Sequence, residues 1–231
     1  GFWADNLNKR VFIFWGLTLA NVRSKNNRAL RIAAKNGHVA VCQFIRDWVI
    51  DSPVFSNKDF LKALREENNY ALRWAAANGH VQVLQFLRDC GLTTEDLHAD
   101  YENVLQWAAV HGQLNIFRHF KDYWGLTAQD VRSGNNRVLS WAARAGHVEI
   151  LEMLKNEWHL TASDARADNN WGLRMAARFG HIRVLQFLKD WGLTAEDAKA
   201  DNCSALHMAA REGQTDVLQF FKEQWGLTIT Q

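Results

Sequence analysis

Four histidines recur at one register of this chain, His38, His80, His147 and His181, each directly after a glycine. Histidine is a common metal ligand and general base, so a periodic His column first suggests a metal ladder or a proton relay. Two observations argue against both. The same register carries Gln113 and Gln214 in two further copies, and glutamine is a poor zinc ligand though a good hydrogen-bonder. Neighbouring members of the column also stand a whole repeat apart, too far to share an ion. We read the column as side chains that bridge loops of successive repeats, with no metal and no catalytic role.

The element that positions these residues is a block built on Leu-x-x-Ala-Ala-x-x-Gly-His/Gln, anchored at Leu30, Leu72, Leu105, Leu139, Leu173 and Leu206. The anchor advances by 42, 33, 34, 34 and 33 residues, a period that means stacked supersecondary units, none able to bury its apolar face alone. In the second copy Leu72, Ala75 and Ala76 form one helical stripe, and the small alanines let a neighbouring helix approach closely. Asn69 is expected as the N-cap of this helix, Asn68 in a left-handed conformation, and Gly79 as its terminator. A second helix follows with Val81, Val83, Leu84, Phe86 and Leu87. Between copies, Thr93 with Asp96, Thr127 with Asp130, Thr161 with Asp164 and Thr194 with Asp197 have capping-box spacing, so the connectors should hold a third, brief helix.

Seven residues before each anchor lies a cationic-capable column: Arg23, Arg65, His98, Arg132, Arg166 and Lys199. In the last four copies an acid precedes it by two residues. Ion pairing that orders the stack, within a connector or between repeats, is the reading preferred over an anion-binding ladder, because the acids would neutralise most of the field. A second column, Trp15, Trp48, Trp124, Trp158, Trp191 and Trp225, with Cys90 in one copy, should fill the seams between repeats.

Composition excludes several classes. The 231 residues are 48% hydrophobic and 23% charged, ordinary for a folded chain. Net charge is +2, from 27 Lys and Arg against 25 Asp and Glu, which gives no general pull toward nucleic acid or anionic membrane. No apolar run approaches the roughly 20 residues of a membrane span. Cys42, Cys90 and Cys203 are odd in number and lack metal-ligand spacing, so they are expected as free thiols of a reducing compartment, the cytoplasm or the nucleus. No nucleophile with a neighbouring base, phosphate loop or carboxylate pair stands at usable spacing, so no enzymatic activity and no cofactor are expected.

The period, the Leu206-His-Met-Ala-Ala210 stretch and the Gly-His followed by an apolar helix resemble ankyrin repeats. The resemblance spans roughly Trp15 to Trp225. The family's Thr-Pro-Leu-His becomes Tyr70-Ala-Leu-Arg73, and its β-hairpin finger is replaced by the Thr-x-x-Asp connector. The Trp-rich style is similar to the expanded ankyrin sets of protists and giant DNA viruses. The fold implied is an all-α, ankyrin-type helical repeat solenoid with short helical connectors. It would run over 1–231, with a partial repeat at 1–14, six repeats over about 15–224 and the start of another at 225–231. That last segment suggests a fragment of a longer array or a processed chain. An insertion after Trp48 should make a projecting loop around Pro53 and Phe55.

Positions that differ freely between copies cannot all serve one packing need, so they are expected on the surface. They include Arg28, Tyr70, Asn103, Arg137, Trp171 and Ser204, two residues before each anchor, and the pairs that follow the alanines. The resemblance implies that the second set, with the loop ahead of the first helix, lines a concave binding face. Carried over by position, that face comprises Glu66, Glu67, Asn69, Asn78, Asp100, Glu102, His111, Arg144, Trp171, Arg178, Phe179 and Arg211, with Ala77 and Val110 beside them. Phe179 and Trp171 are the expected aromatic anchors. The function implied is a scaffold that binds another protein. An assembly subunit joined end to end, or a binder of single-stranded nucleic acid, is the alternative.

Overall fold

A computed structural model describes residues 19–51, 56–98 and 104–227. Trp15, Pro53, Phe55, Asp100, Glu102 and Asn103, and the side chains of Arg23 and His98, lie outside the described residues. Among the described residues there are helices and no strand, the all-α class expected. The chain divides into two compact units, Gly1–Tyr101 and Glu102–Gln231.

The first unit holds α1 (Leu19–Lys35), α2 (Val39–Ile50), α3 (Asn57–Leu64), α4 (Glu66–Ala77), α5 (Val81–Asp89) and α6 (Thr94–His98). The second holds α7 (Val104–Val110), α8 (Leu114–Asp122), α9 (Ala128–Ala145), α10 (Val148–Asn156), α11 (Ala162–Ala165), α12 (Ala167–Arg178), α13 (Ile182–Asp190), α14 (Ala195–Arg211) and α15 (Thr215–Trp225). Inner helices lie side by side, α1 on α4 in the first unit and α7 on α9, α9 on α12 and α12 on α14 in the second. Outer helices form a second layer, with α2 on α5, and with α10 between α8 and α13. The paired alanines line the inner-helix contacts: Ala75, Ala76, Ala142, Ala143, Ala176 and Ala177 are all fully covered.

Five copies start, among the described residues, with a capped connector helix. Thr127 and Asp130, Thr161 and Asp164, and Thr194 and Asp197 close capping boxes, as do Ser56 and Asp59. At Thr93 the same backbone N–H donates to Asp96 Oδ2 at 2.9 Å. The connector then enters the inner helix through three successive left-handed residues. These are Lys25–Asn27, Glu67–Asn69, Gly134–Asn136, Asp168–Asn170 and Asp201–Cys203, with φ between 52° and 63°. Such residues normally occur singly, because each non-glycine Cβ crowds the following carbonyl at about 1–2 kcal/mol. Asparagine holds the middle place in all five turns (Asn26, Asn68, Asn135, Asn169, Asn202), where its short polar side chain tolerates the conformation.

Asn68 is thus left-handed, as its type and position suggest. Asn69 is not an N-cap: it too is left-handed, at φ 54°, and its buried amide Nδ2 donates to the Asp96 carbonyl of the next connector at 3.1 Å. A cap needs extended backbone, and the turn forbids it.

Three of the connector tryptophans fill the seams as expected, while Trp48 and Trp225 are half-exposed. Trp124, Trp158 and Trp191 are buried. A lysine from the preceding copy lies over two of them: Lys121 Nζ is 5.7 Å from the Trp158 ring and Lys155 Nζ 5.9 Å from Trp191. In the first unit Cys90 holds this position, beside the Arg46 guanidinium. Cys42 is buried, and burial together with the nearby Cys90 pushes its thiol up to about 12, so it stays protonated at neutral pH.

Candidate partner-binding face

Two columns that could have carried chemistry turn out to join neighbouring copies. His80 Nε2–H donates to the Lys35 carbonyl at 2.9 Å, His147 to Val110 at 3.0 Å and His181 to Arg144 at 2.9 Å. Each ring lies against the glycine of the copy before it. A Cβ added at Gly112 would stand 2.8 Å from the His147 ring, and that glycine also has φ +71°. The bridging role expected for the histidines is the one seen.

The basic column is spent the same way. Arg65 grips Asp96 through Nε at 2.6 Å and Nη2 at 2.9 Å, Arg132 grips Asp164 at 2.9 and 3.3 Å, and Arg166 grips Asp197 at 2.8 and 3.0 Å. The acid always belongs to the next copy, and it is the carboxylate that caps its own connector helix. Burial pushes these three carboxyls up, but the guanidinium and the Thr N–H outweigh it, so all three end below the usual carboxylate range. Lys199 departs from the pattern, bonding Glu196 of its own connector at 3.2 Å. These guanidiniums are committed to order, and they form no anion ladder. Among the described residues no cluster of His, Cys, Asp or Glu could hold a metal ion.

The described residues expected to meet a partner fall on the inner helices and the turns at their two ends. In the first unit Glu67 is exposed and Glu66 half-buried, and both accept hydrogen bonds from the copy before: Asn26 to Glu67 at 2.6 Å and Asn27 to Glu66 at 2.7 Å. Asn78 is exposed, but its amide donates to the Lys35 carbonyl at 2.8 Å. Asn69 and Ala77 are buried, at 4% and 1% exposure, and are withdrawn from the face.

The second unit gathers most of the expected residues. Phe179 is 41% exposed. Two guanidiniums from adjacent copies lie on its ring, Arg144 at 5.2 Å and Arg178 at 5.4 Å. Arg144 also lies 4.6 Å from the ring of Trp141, and Trp141 meets Trp171 edge-on at 5.4 Å. Trp171 is therefore only half-exposed, supported by a ring the sequence reading overlooked. Arg178 pairs with Glu212 at 3.0 Å, and Arg211 is exposed. His111 is exposed and stacked on Trp107 at 5.7 Å.

Trp74, Trp107 and Trp141 stand two residues after the anchor in three consecutive copies, and each is half-exposed. That recurrence was the signal available for them; the more numerous connector tryptophans drew the reading elsewhere. Lys35 Nζ sits 3.8 Å over Trp74 and Arg31 5.0 Å over Tyr70, so the first unit repeats the theme of a cation on an aromatic ring.

A family model described as ankyrin repeats (three copies) matches residues 72–164 and 139–231. The search of curated proteins finds no match.

Proposed function

Because this chain belongs to the ankyrin-repeat family, we propose that it is a non-catalytic interaction module holding a protein partner on its inner-helix face, the concave one in that family. The observation that carries this reading is the Arg144–Phe179–Arg178 cluster beside Trp141 and Trp171. It combines an exposed ring, flanking guanidiniums and rigid helical support, the composition that dominates protein-binding hot spots. A stack built from short-range contacts presents these groups without ordering a loop on binding, so less free energy is lost on association. The free thiols Cys42, Cys90 and Cys203 suit a reducing compartment, and we place the protein in the cytoplasm.

Capture of partners from the native cell by the intact chain, repeated with Phe179→Ala and Arg144→Ala together, tests the reading. The expected outcome is loss of a specific protein while stability falls by no more than about 1 kcal/mol, since both side chains are partly exposed. Retention of every captured protein by the double variant would refute it. Trp171→Ala is expected to weaken capture too, but with a measurable drop in melting temperature, because its edge packs on Trp141.

A further inference from the structure

We propose that the inner-helix face of the second unit receives an extended acidic polypeptide segment, with carboxylates on Arg144 and Arg211 and an apolar side chain between them on Phe179. This rests on the protein-capture reading above and adds the chemistry of the partner.

Arg144, Arg178 and Arg211 each stand five residues after their anchor leucines, Leu139, Leu173 and Leu206, so they form one column over three successive copies. Their circumstances differ. Arg178 already holds the Glu212 carboxylate. Arg144 has its guanidinium over two aromatic rings, and its N–H donors meet no acceptor among the described residues. Stacking occupies the flat face of a guanidinium and leaves its edge, the part that matches a carboxylate, pointing elsewhere. Arg144 is thus a cation held in place without its anion. Arg211 is exposed and has no carboxylate partner among the described residues.

Spacing sets the length of the ligand. Inner helices packed side by side lie about 8–10 Å apart, so Arg144 and Arg211, with one copy between them, stand roughly 16–20 Å apart. An extended chain rises about 3.3 Å per residue, which places the two acids about five or six residues apart. The half-way point falls over Phe179, where an apolar side chain would cover the exposed ring. Asp168, Asp201 and Glu212 stand in the same copies. A single-stranded nucleic acid, with a phosphate at every nucleotide, would meet these acids. A peptide with widely spaced carboxylates passes them by.

The test is a selection of random displayed peptides against the intact chain, followed by titration of the synthesised winners. Winners should carry two Asp or Glu five or six residues apart around a Leu, Phe or Trp. Arg144→Gln and Arg211→Gln should each weaken them about tenfold or more, as expected for losing a charge-assisted hydrogen bond. Arg144→Lys should fall between, since it keeps the charge and loses the planar stack. Melting temperatures of all three variants should match the parent. Neutral or basic winners that still depend on Phe179 would overturn the acidic partner and leave the capture reading standing. Winners indifferent to both Phe179→Ala and Arg144→Gln, or no winners at all, would sink both. Tighter binding of oligodeoxythymidylate, with the same Arg144 dependence, would replace the peptide by nucleic acid.

Discussion

Asp164 serves two copies at once: it closes the connector helix at Thr161 and receives Arg132 from the copy before. Its carboxyl is more acidic in the folded chain than in the unfolded one. The stabilisation is therefore complete above the ordinary carboxylate range, near pH 4, and is lost as pH falls through the lower folded value. Asp164→Asn should cost about 1–3 kcal/mol at neutral pH, as expected for a largely covered charge-assisted hydrogen bond. Thermal melts from pH 7 to pH 3 should then show the variant losing less than the parent. Parallel curves would mean that the pair does not contribute. At the His column the amide of Gln214 takes the place of the ring, against Gly180. His147→Gln is accordingly expected to stay within about 0.5 kcal/mol of the parent, while His147→Ala, which leaves the Val110 carbonyl unmet, should cost about 1–2 kcal/mol by chemical denaturation. The histidine bridge was visible in the sequence because substitution between copies reveals what a position tolerates. The reach of each arginine to the following copy was not visible, since an acid two residues away offered an equally plausible local partner.

The left-handed turn is the element that sets the angle between connector and inner helix. Arg73 Nη2 donates to the Glu67 carbonyl at 2.9 Å and Arg174 Nη2 to Asp168 at 3.2 Å, so a guanidinium from the inner helix ties the turn down. Asn169, exposed at the centre of its turn with φ 53°, isolates the conformational term. Asn169→Ala should destabilise by about 1–2 kcal/mol, whereas Asn169→Gly should be nearly neutral. Equal effects in calorimetry would show that the turn carries no strain. The sequence revealed this element only in part. Asn68 announced a left-handed residue, but nothing in residue type distinguishes one such residue from three in succession. Asn69 was consequently misplaced as a surface cap, although the connector helices and their caps were legible from Thr-x-x-Asp spacing alone. Exposure of the variable positions was legible only in part, for a related reason. Differences between copies locate exposed positions well where side chains are long, as at Arg211 and Phe179, and poorly where a small residue such as Ala77 is simply covered.

At the scale of the molecule, each described unit is a run of like copies whose order depends on nearest neighbours, so stability is close to a sum of copy and interface terms. The repeated aspartate makes that literal: Asp164 receives Arg132 from the copy before, while Arg166 of the same copy reaches forward to Asp197. Removal of residues 133–166 would join Arg132 to Ala167 and present Arg132 to Asp197 in the place of Arg166, while His181 would inherit the Val110 carbonyl from His147. The shortened chain is expected to melt cooperatively with helical content per residue unchanged; a broad, non-cooperative transition would show that the copies are not equivalent. Such interchangeability has a bearing on descent. A gene whose segments mate with any sibling can lose or gain one in a single recombination, and the recognition surface is then re-spelled by whole syllables as well as single letters.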